Sequence, residues 1–308
     1  MIIKERKIKK PVITSEYINI YKPQPDVYKC QDTKSFRKGK FYNDWIANDF
    51  TVIHEKGVWH IYGITHPRPD GFISDYEYGD DTDIHEAEYQ LFHCTAKGES
   101  FAEVFKSNTF KDEEKVLPAC ERPDEKPEIW APYVNRVGDE YFMIYSPGVI
   151  RYAKSKDLYH WEKGCNLFGT DDSDARDPYL FCDDDGEKYL IYCEDDVVKC
   201  RKTKDLLEFE EEFVLQKNPF GRSSESPFML KKDGIYYFMW CIWDGRNGMY
   251  DNRTYVFASE TIDGFEGIAP LTMLEGHAPE FVTDGDDTYI LSVFYPENGI
   301  NAAKIEWK

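Results

Sequence analysis

One arrangement of apolar and polar positions recurs five times along the chain. A small residue or aspartate, usually followed by proline, leads a few apolar residues into a polar turn containing glycine, and an aromatic-rich run follows. The copies are "DFTVIHEKGVWHIYGI" from Asp49, "APYVNRVGDEYFMIYS" from Ala131, "DPYLFCDDDGEKYLIYC" from Asp177, "SPFMLKKDGIYYFMWC" from Ser226 and "APEFVTDGDDTYILSV" from Ala278. Their turn glycines, Gly57, Gly138, Gly186, Gly234 and Gly285, sit at nearly the same offset, so each copy predicts a hairpin of two strands. A second motif follows four of them: "HCTAKGESFAEV" from His93, "YAKSKDLYHWEK" from Tyr152, "CRKTKDLLEFEEE" from Cys200 and "FASETIDGFEGI" from Phe257. Each predicts a third strand, a tight turn and an aromatic that starts a fourth. Four strands per repeat make a propeller blade, and from the second copy onward the copies recur at a blade period of roughly 40–50 residues. The first interval is longer because residues 65–90 are inserted within blade one.

The pattern thus predicts an all-β fold, a five-bladed β-propeller of four-stranded antiparallel blades around a central channel. No linker or low-complexity stretch interrupts it, so residues 1–308 are expected to form a single domain. The fifth copy lacks an obvious partner for its outer strand. Part of residues 1–40 is expected to close the ring there, because an open sheet edge is a liability.

Composition narrows the partners. With 41% hydrophobic and 16% aromatic residues the chain has ample material for a packed core. Its formal net charge of -20 repels phosphate backbones and anionic membranes, which argues against nucleic acid or a membrane and for a neutral substrate. The opening "MIIKERKIKK" is charged with no apolar stretch after it, and no segment has the length of a transmembrane helix. The eight cysteines show neither a CxxC pair nor zinc-type spacing and read as reduced thiols. Together these features lead to the expectation of a cytoplasmic protein. No feature of the sequence specifies an oligomeric state.

Propeller geometry then gives the repeat starts a chemical meaning. The first strand of each blade lines the channel, so its first residue and the one before it face the channel mouth. Around the ring these are Asn48 and Asp49, Trp130 and Ala131, Arg176 and Asp177, Glu225 and Ser226, and His277 and Ala278. Three carboxylates at one mouth, Asp49, Asp177 and Glu225, repel one another and push up at least one pKa. Such a set suits glycoside hydrolysis, in which one carboxylic acid protonates the departing oxygen and an ionised one activates water or attacks the anomeric carbon. A third carboxylate and Arg176 can hold the sugar, and Trp130 offers a flat apolar face. Each residue taken singly has a structural reading as well. Asp before Pro is ordinary turn chemistry, Arg176 can pair with Asp177, Trp130 can be inter-blade core, and His277 can be a buried histidine bonded to a carbonyl. The case for a site rests on their sharing one register of a five-fold repeat.

In order along the chain stand "NDF", "WAP", "RDP", "ESP" and "HAP". This set resembles the five-bladed hydrolases grouped as glycoside hydrolase families 43, 32, 62 and 68, over roughly residues 40–308. The resemblance implies that Asp49 is the general base of inverting members or the nucleophile of retaining ones. It implies that Asp177 fixes substrate and tunes the acid, and that Glu225 is the general acid. Arg176 looks like the substrate-binding arginine of the fructan-cleaving families, and His277 matches a channel histidine that in some family 43 members sits near a bound calcium. No other cofactor is implied. Where family 32 carries "NDPNG" this chain has Asn48-Asp49-Phe50-Thr51-Val52, and Trp45 stands four residues before the Asp rather than three, while "ESP" is closer to family 43. The motifs therefore mix the two groups.

Asn48, Trp45 and His66 complete the expected sugar-binding set. His66 and the "IHEAE" segment, residues 84–88, belong to the blade-one insertion, which reads as a solvated loop or as a lid or subsite wall. His85-Glu86 lacks the second histidine of a zinc-protease helix. Trp243 and Arg246, in a long blade-four loop, are candidates for shaping the pocket, and the acidic runs "DDTD" and "CDDDGE" read as turns. The expected function is hydrolysis of a neutral oligosaccharide or glycoside, of the family 43 arabinofuranosidase or xylosidase type, exo-acting and inverting. A retaining β-fructosidase of the family 32 type, a glycosyl-transferring enzyme and a non-catalytic carbohydrate-binding propeller are the alternatives.

Overall fold

The hairpins close because glycine accepts the left-handed backbone at their turns, with φ of +73° at Gly57 and +77° at Gly234. The computed structural model describes residues 8–68, 87–117, 127–169, 173–220, 223–243, 250–295 and 297–308. In these residues the five sequence copies are five antiparallel sheets of a propeller. Blade one is built from Asp44–Glu55, Val58–Arg68, Leu91–Lys97 and the short outer strand Lys111–Asp112. Blades two and three run from Trp130–Val137 to Glu162–Gly169 and from Arg176–Cys182 to Phe213–Lys217, four strands each. Blade four runs from Ser223–Lys232 to Thr272–Glu275. Blade five contains His277–Asp284, Asp287–Val293 and Ile300–Trp307, and the N-terminal strand Pro11–Ile13 pairs with the last of these, Val12 opposite Glu306. Strand Ile18–Tyr21 pairs with the same partner further along.

One local expectation fails. "FAEV", read as the start of blade one's outer strand, forms the four-residue helix Phe101–Val104. The cause lies across the ring closure. The Asp284 carboxylate of blade five accepts the backbone N–H groups of Phe101 (2.7 Å) and Ala102 (3.3 Å), which satisfies orphan donors of a helix start. Phe101 and Val104 are then buried between blades one and five.

The middle strands are apolar at almost every position because both faces of a blade are covered by its neighbours. Along Glu140–Ser146, Tyr141, Met143 and Tyr145 pack into the seam with blade one, while Phe142 and Ile144 pack into the seam with blade three. In blade one, Ile61 faces the blade-five seam and Tyr62 the blade-two seam. Beside the ring opening Gly63 pairs with Phe50, and a Cβ there would lie 2.5 Å from Phe92 Cε1 and 2.8 Å from both the Asn48 carbonyl and Phe50 Cβ. Gly63→Ala is therefore expected to overpack this junction at a cost of about 1–3 kcal/mol, read as a lower urea midpoint.

Candidate active site

The inner strands do not enter the channel as regular strands. Each pairs with its neighbour through a register shift in its channel-facing half: between Asn48 and Phe50, Arg176 and Tyr179, Glu225 and Phe228, His277 and Glu280, and on the partner strand of blade two between Ile144 and Ser146. In four blades the residue at that point is in the left-handed region without being glycine, with φ of 42° at Ala131, 52° at Asp177, 49° at Ser226 and 50° at Ala278. Such residues cost on the order of 1–3 kcal/mol each and persist only where surrounding structure holds them. Each precedes a proline, which disfavours the right-handed helical region. The repeat thus bends every entry strand, and the bend aims polar side chains at the axis.

Two of the predicted residues, Asp49 and Asp177, are joined in one hydrogen-bonded chain through Ser226. Its hydroxyl donates to Asp49 Oδ1 (2.8 Å) and its backbone N–H donates to Asp177 Oδ2 (2.9 Å). Arg176 donates through Nη2 to the Ser224 carbonyl (2.8 Å), pairs through Nη1 with Asp174, and has Nε 3.9 Å from Glu225 Oε1. His277 Nε2 lies 3.6 Å from Glu225 Oε2 and 4.0 Å from Asp49 Oδ1. One atom of blade five therefore touches the carboxylates of blades one and four.

These groups surround a cavity of about 190 Å³ lined by Asp49, Asp177, Glu225, Arg176 and Trp130 among the predicted residues. Trp243 also lines it, as do Asp174, Ser223, Ile64 and Glu88, which the sequence reading did not single out. Of that reading's other candidates, Asn48 is buried on the strand beside Asp49, and His66 is buried behind Glu88 with Nε2 3.9 Å from Glu88 Oε1. His277 is fully buried beneath the carboxylates rather than open to the cavity. Trp45 must be corrected. The inner strand begins at Asp44, earlier than the repeat suggested, and its pleat turns Trp45 into the seam between blades one and two. There it is 0% exposed, donates through Nε1 to the Asp26 carbonyl (3.1 Å) and lies under Lys115, so it offers no sugar-binding face. Arg246 and residues 84–86 lie outside the described residues.

Burial sets the electrostatics. Asp49 is pushed well above the usual carboxylate range by burial first and by the neighbouring Asp177 second, with the Ser226 hydroxyl and Arg176 pulling the other way. Burial also raises Asp177, against the charge of Arg176 and the Ser226 N–H. Two such carboxyls at close quarters ionise one after the other, so the pair keeps a shared proton into a range where exposed aspartates are ionised. Burial disfavours the Arg176 charge, but Glu225 and Asp177 outweigh it and keep the guanidinium protonated. Burial lowers His277 to about 3, so its imidazole is neutral at ordinary pH. A neutral imidazole can serve a metal, yet calcium takes six to eight oxygen ligands. Among the described residues no three His, Cys, Asp or Glu side chains are placed to hold one metal ion. A calcium beside His277 would therefore draw its other ligands mainly from water, and no step below passes through it.

A five-bladed propeller whose axial cavity gathers an aspartate pair, a glutamate and a buried arginine has the architecture of the carboxylate glycoside hydrolases. The model of glycosyl hydrolases family 43 matches residues 72–265, and the chain belongs to that family. The match decides between the two groups whose motifs the chain mixes. An arabinanase from Bacillus subtilis superposes with a TM-score of 0.59 at 19% identity, over 85% of this chain and 94% of that one. The catalytic domain of a Coprinopsis cinerea GH62 α-L-arabinofuranosidase superposes with a TM-score of 0.61 at 13% identity, over 93% and 95%. These likenesses are of fold. A β-D-galactofuranosidase from Aspergillus niger is 29% identical over 127 residues, which are 39% of this chain and 37% of that protein.

Ser226 and Glu88 were the residues most easily missed. Ser226 occupies the same repeat position as Asp177, and that register was its only signal. Glu88 closes the "IHEAE" segment and has no counterpart in the other blades.

Proposed function

We propose that the protein is an exo-acting, inverting glycosidase that releases a terminal neutral pentose, L-arabinofuranose before D-xylose, from a short oligosaccharide or glycoside. The observation that carries this reading is the meeting of Asp49, Asp177, Glu225 and Arg176 in one cavity of about 190 Å³. That volume falls below the range of about 300–1,000 Å³ for drug-sized ligands and suits a single sugar ring. Furanosides come first because the GH62 neighbour and the Aspergillus niger relative are both named for furanosides. Inversion is favoured by family 43 membership and by the "WAP", "ESP" and "HAP" forms.

In this mechanism Glu225, at the cavity wall, protonates the glycosidic oxygen as the bond to the anomeric carbon breaks. Asp49, ionised and held by the Ser226 hydroxyl, removes a proton from the water that attacks the opposite face. Asp177 and Arg176 bind the ring hydroxyls, and Trp130 covers an apolar face of the ring. Neutral His277 sits under both reacting carboxylates and donates no second positive charge to them.

The test is turnover of p-nitrophenyl glycosides of α-L-arabinofuranose, β-D-xylose, β-D-galactofuranose and β-D-fucose, with sucrose and short fructans beside them. Hydrolysis of the arabinofuranoside, with the opposite anomer appearing first in the proton NMR spectrum, is the expected result. Activity on sucrose or fructans alone would overturn the pentose assignment.

A further inference from the structure

The cavity holds a carboxylate that the mechanism above does not use. Glu88 is only 3% exposed, lines the same cavity as Asp49 and Glu225, and its charge is one of those that raise Asp49. The chain around it is anchored. Ala87 and Tyr89 are both buried in the seam between blades one and two, and the Glu88 carbonyl accepts the Ile129 N–H (2.8 Å), next to Trp130 of the cavity wall. A side chain on such a rigid support is suited to reading a ligand.

Beside it stands His66, on the neighbouring strand. His66 Nδ1 is 2.8 Å from the Pro67 carbonyl, which only accepts, so the Nδ1 proton is committed there. Nε2 then carries no proton in the neutral ring, and at 3.9 Å from Glu88 Oε1 it neighbours the carboxylate without donating to it. His66, expected from the sequence to touch the sugar itself, lies behind this carboxylate and does not line the cavity. The cavity also has a marked charge imbalance. Asp49, Glu88, Asp174, Asp177 and Glu225 line it, whereas Arg176 is the only cation among its described lining residues and already faces Asp174 and Glu225.

We propose that Glu88 is a specificity-determining residue that accepts a hydroxyl hydrogen bond from the sugar ring and excludes sugars bearing a carboxylate. A ring hydroxyl is a donor that a carboxylate accepts well, and such charge-assisted bonds are among the strong ones. A uronate would bring a further negative charge into a buried site that already holds an excess of them. This inference deepens the hydrolase reading and rests on it for the identity of the bound sugar.

The experiment compares wild type, Glu88→Gln and Glu88→Asp. Calorimetry is run with L-arabinose and with D-galacturonate, which in the pyranose form adds a carboxylate to the same ring configuration. Kinetics are run on p-nitrophenyl α-L-arabinofuranoside. Wild type is expected to bind arabinose and to reject galacturonate. Glu88→Gln should lose about 10- to 100-fold in arabinose affinity and KM, as removal of a hydrogen bond to a charged group does, with kcat nearly unchanged and the melting temperature held. It should also narrow the discrimination against galacturonate, and its acidic limb of kcat/KM should move to lower pH, because a neighbour that raises Asp49 has been neutralised. Glu88→Asp keeps the charge and should still reject galacturonate. Unchanged affinities in Glu88→Gln, or a fall in melting temperature and kcat with KM constant, would overturn the proposal. Wild type that binds arabinose but hydrolyses nothing would sink the hydrolase reading alone, since the binding comparison still decides the role of Glu88. Wild type that binds neither sugar would overturn both.

Discussion

Glu225→Gln is expected to lower kcat on an unactivated arabino-oligosaccharide by about 10²–10⁴-fold, the usual contribution of a general acid. The amide keeps the shape of the side chain, and its oxygen still faces Arg176, whose Nε is 3.9 Å from Oε1. What it loses is the proton that the departing oxygen needs. Because the glutamate side chain is only 13% exposed, water is poorly placed to replace that proton. KM should change little, since the proposed mechanism gives the holding of the ring mainly to Asp177, Arg176 and Trp130. A variant with near wild-type kcat on such a substrate would remove Glu225 from the chemistry.

Asp49→Asn should be at least as inactive, with a loss of about 10²–10⁴-fold or more, and no less stable than the parent. The two outcomes share one cause. Asp49 is buried beside Asp177, so its folded pKa lies above the value of about 3.9 it would have unfolded. For a carboxyl shifted upward, the stabilising contribution is present in full below the unfolded pKa and is lost as pH rises toward the folded one. Asn carries no charge to desolvate, and its oxygen can still accept the Ser226 hydroxyl. The melting temperature of the variant should therefore equal or exceed that of wild type, with the difference widening from pH 5 to pH 8. The same sign governs activity. Base catalysis needs ionised Asp49, so wild-type kcat/KM should fall on the acid side at a pH above the ordinary carboxylate range. A destabilised Asp49→Asn, or an acid limb near pH 4, would contradict this account of the pair.

The blades were legible because each copy presents the same physical instruction: a turn glycine such as Gly234, then a run such as "IYYFMW" whose two faces meet different neighbours. The candidate carboxylates were legible for a related reason, since Asp49, Asp177 and Glu225 stand where their blades enter the channel. What escaped depends on contacts between blades. Ser226 bonds to Asp49 across the ring from a position 177 residues away, and nothing local to "ESP" signals that partner. Glu88 reaches the cavity because Ala87 and Tyr89 are pinned in a seam, which only the packed structure reveals. Trp45 misled because its strand already runs in the sheet from Asp44 and a register shift between Asn48 and Phe50 separates it from Asp49, so the two side chains do not share an outlook. The "FAEV" helix was hidden for a similar reason, its cap coming from Asp284 at the far end of the chain.

The claim that Glu225 and Asp49 divide acid and base work is tested most directly by leaving-group dependence. Wild type and Glu225→Gln are compared on p-nitrophenyl α-L-arabinofuranoside, whose phenolate departs without a proton, and on arabinobiose, whose sugar alkoxide does not. The account predicts that the variant loses at least about tenfold more on arabinobiose than on the aryl glycoside, because only the former needs the acid. Equal losses on both substrates would mean that Glu225 binds or supports rather than protonates, and the assignment of acid and base in this cavity would fall.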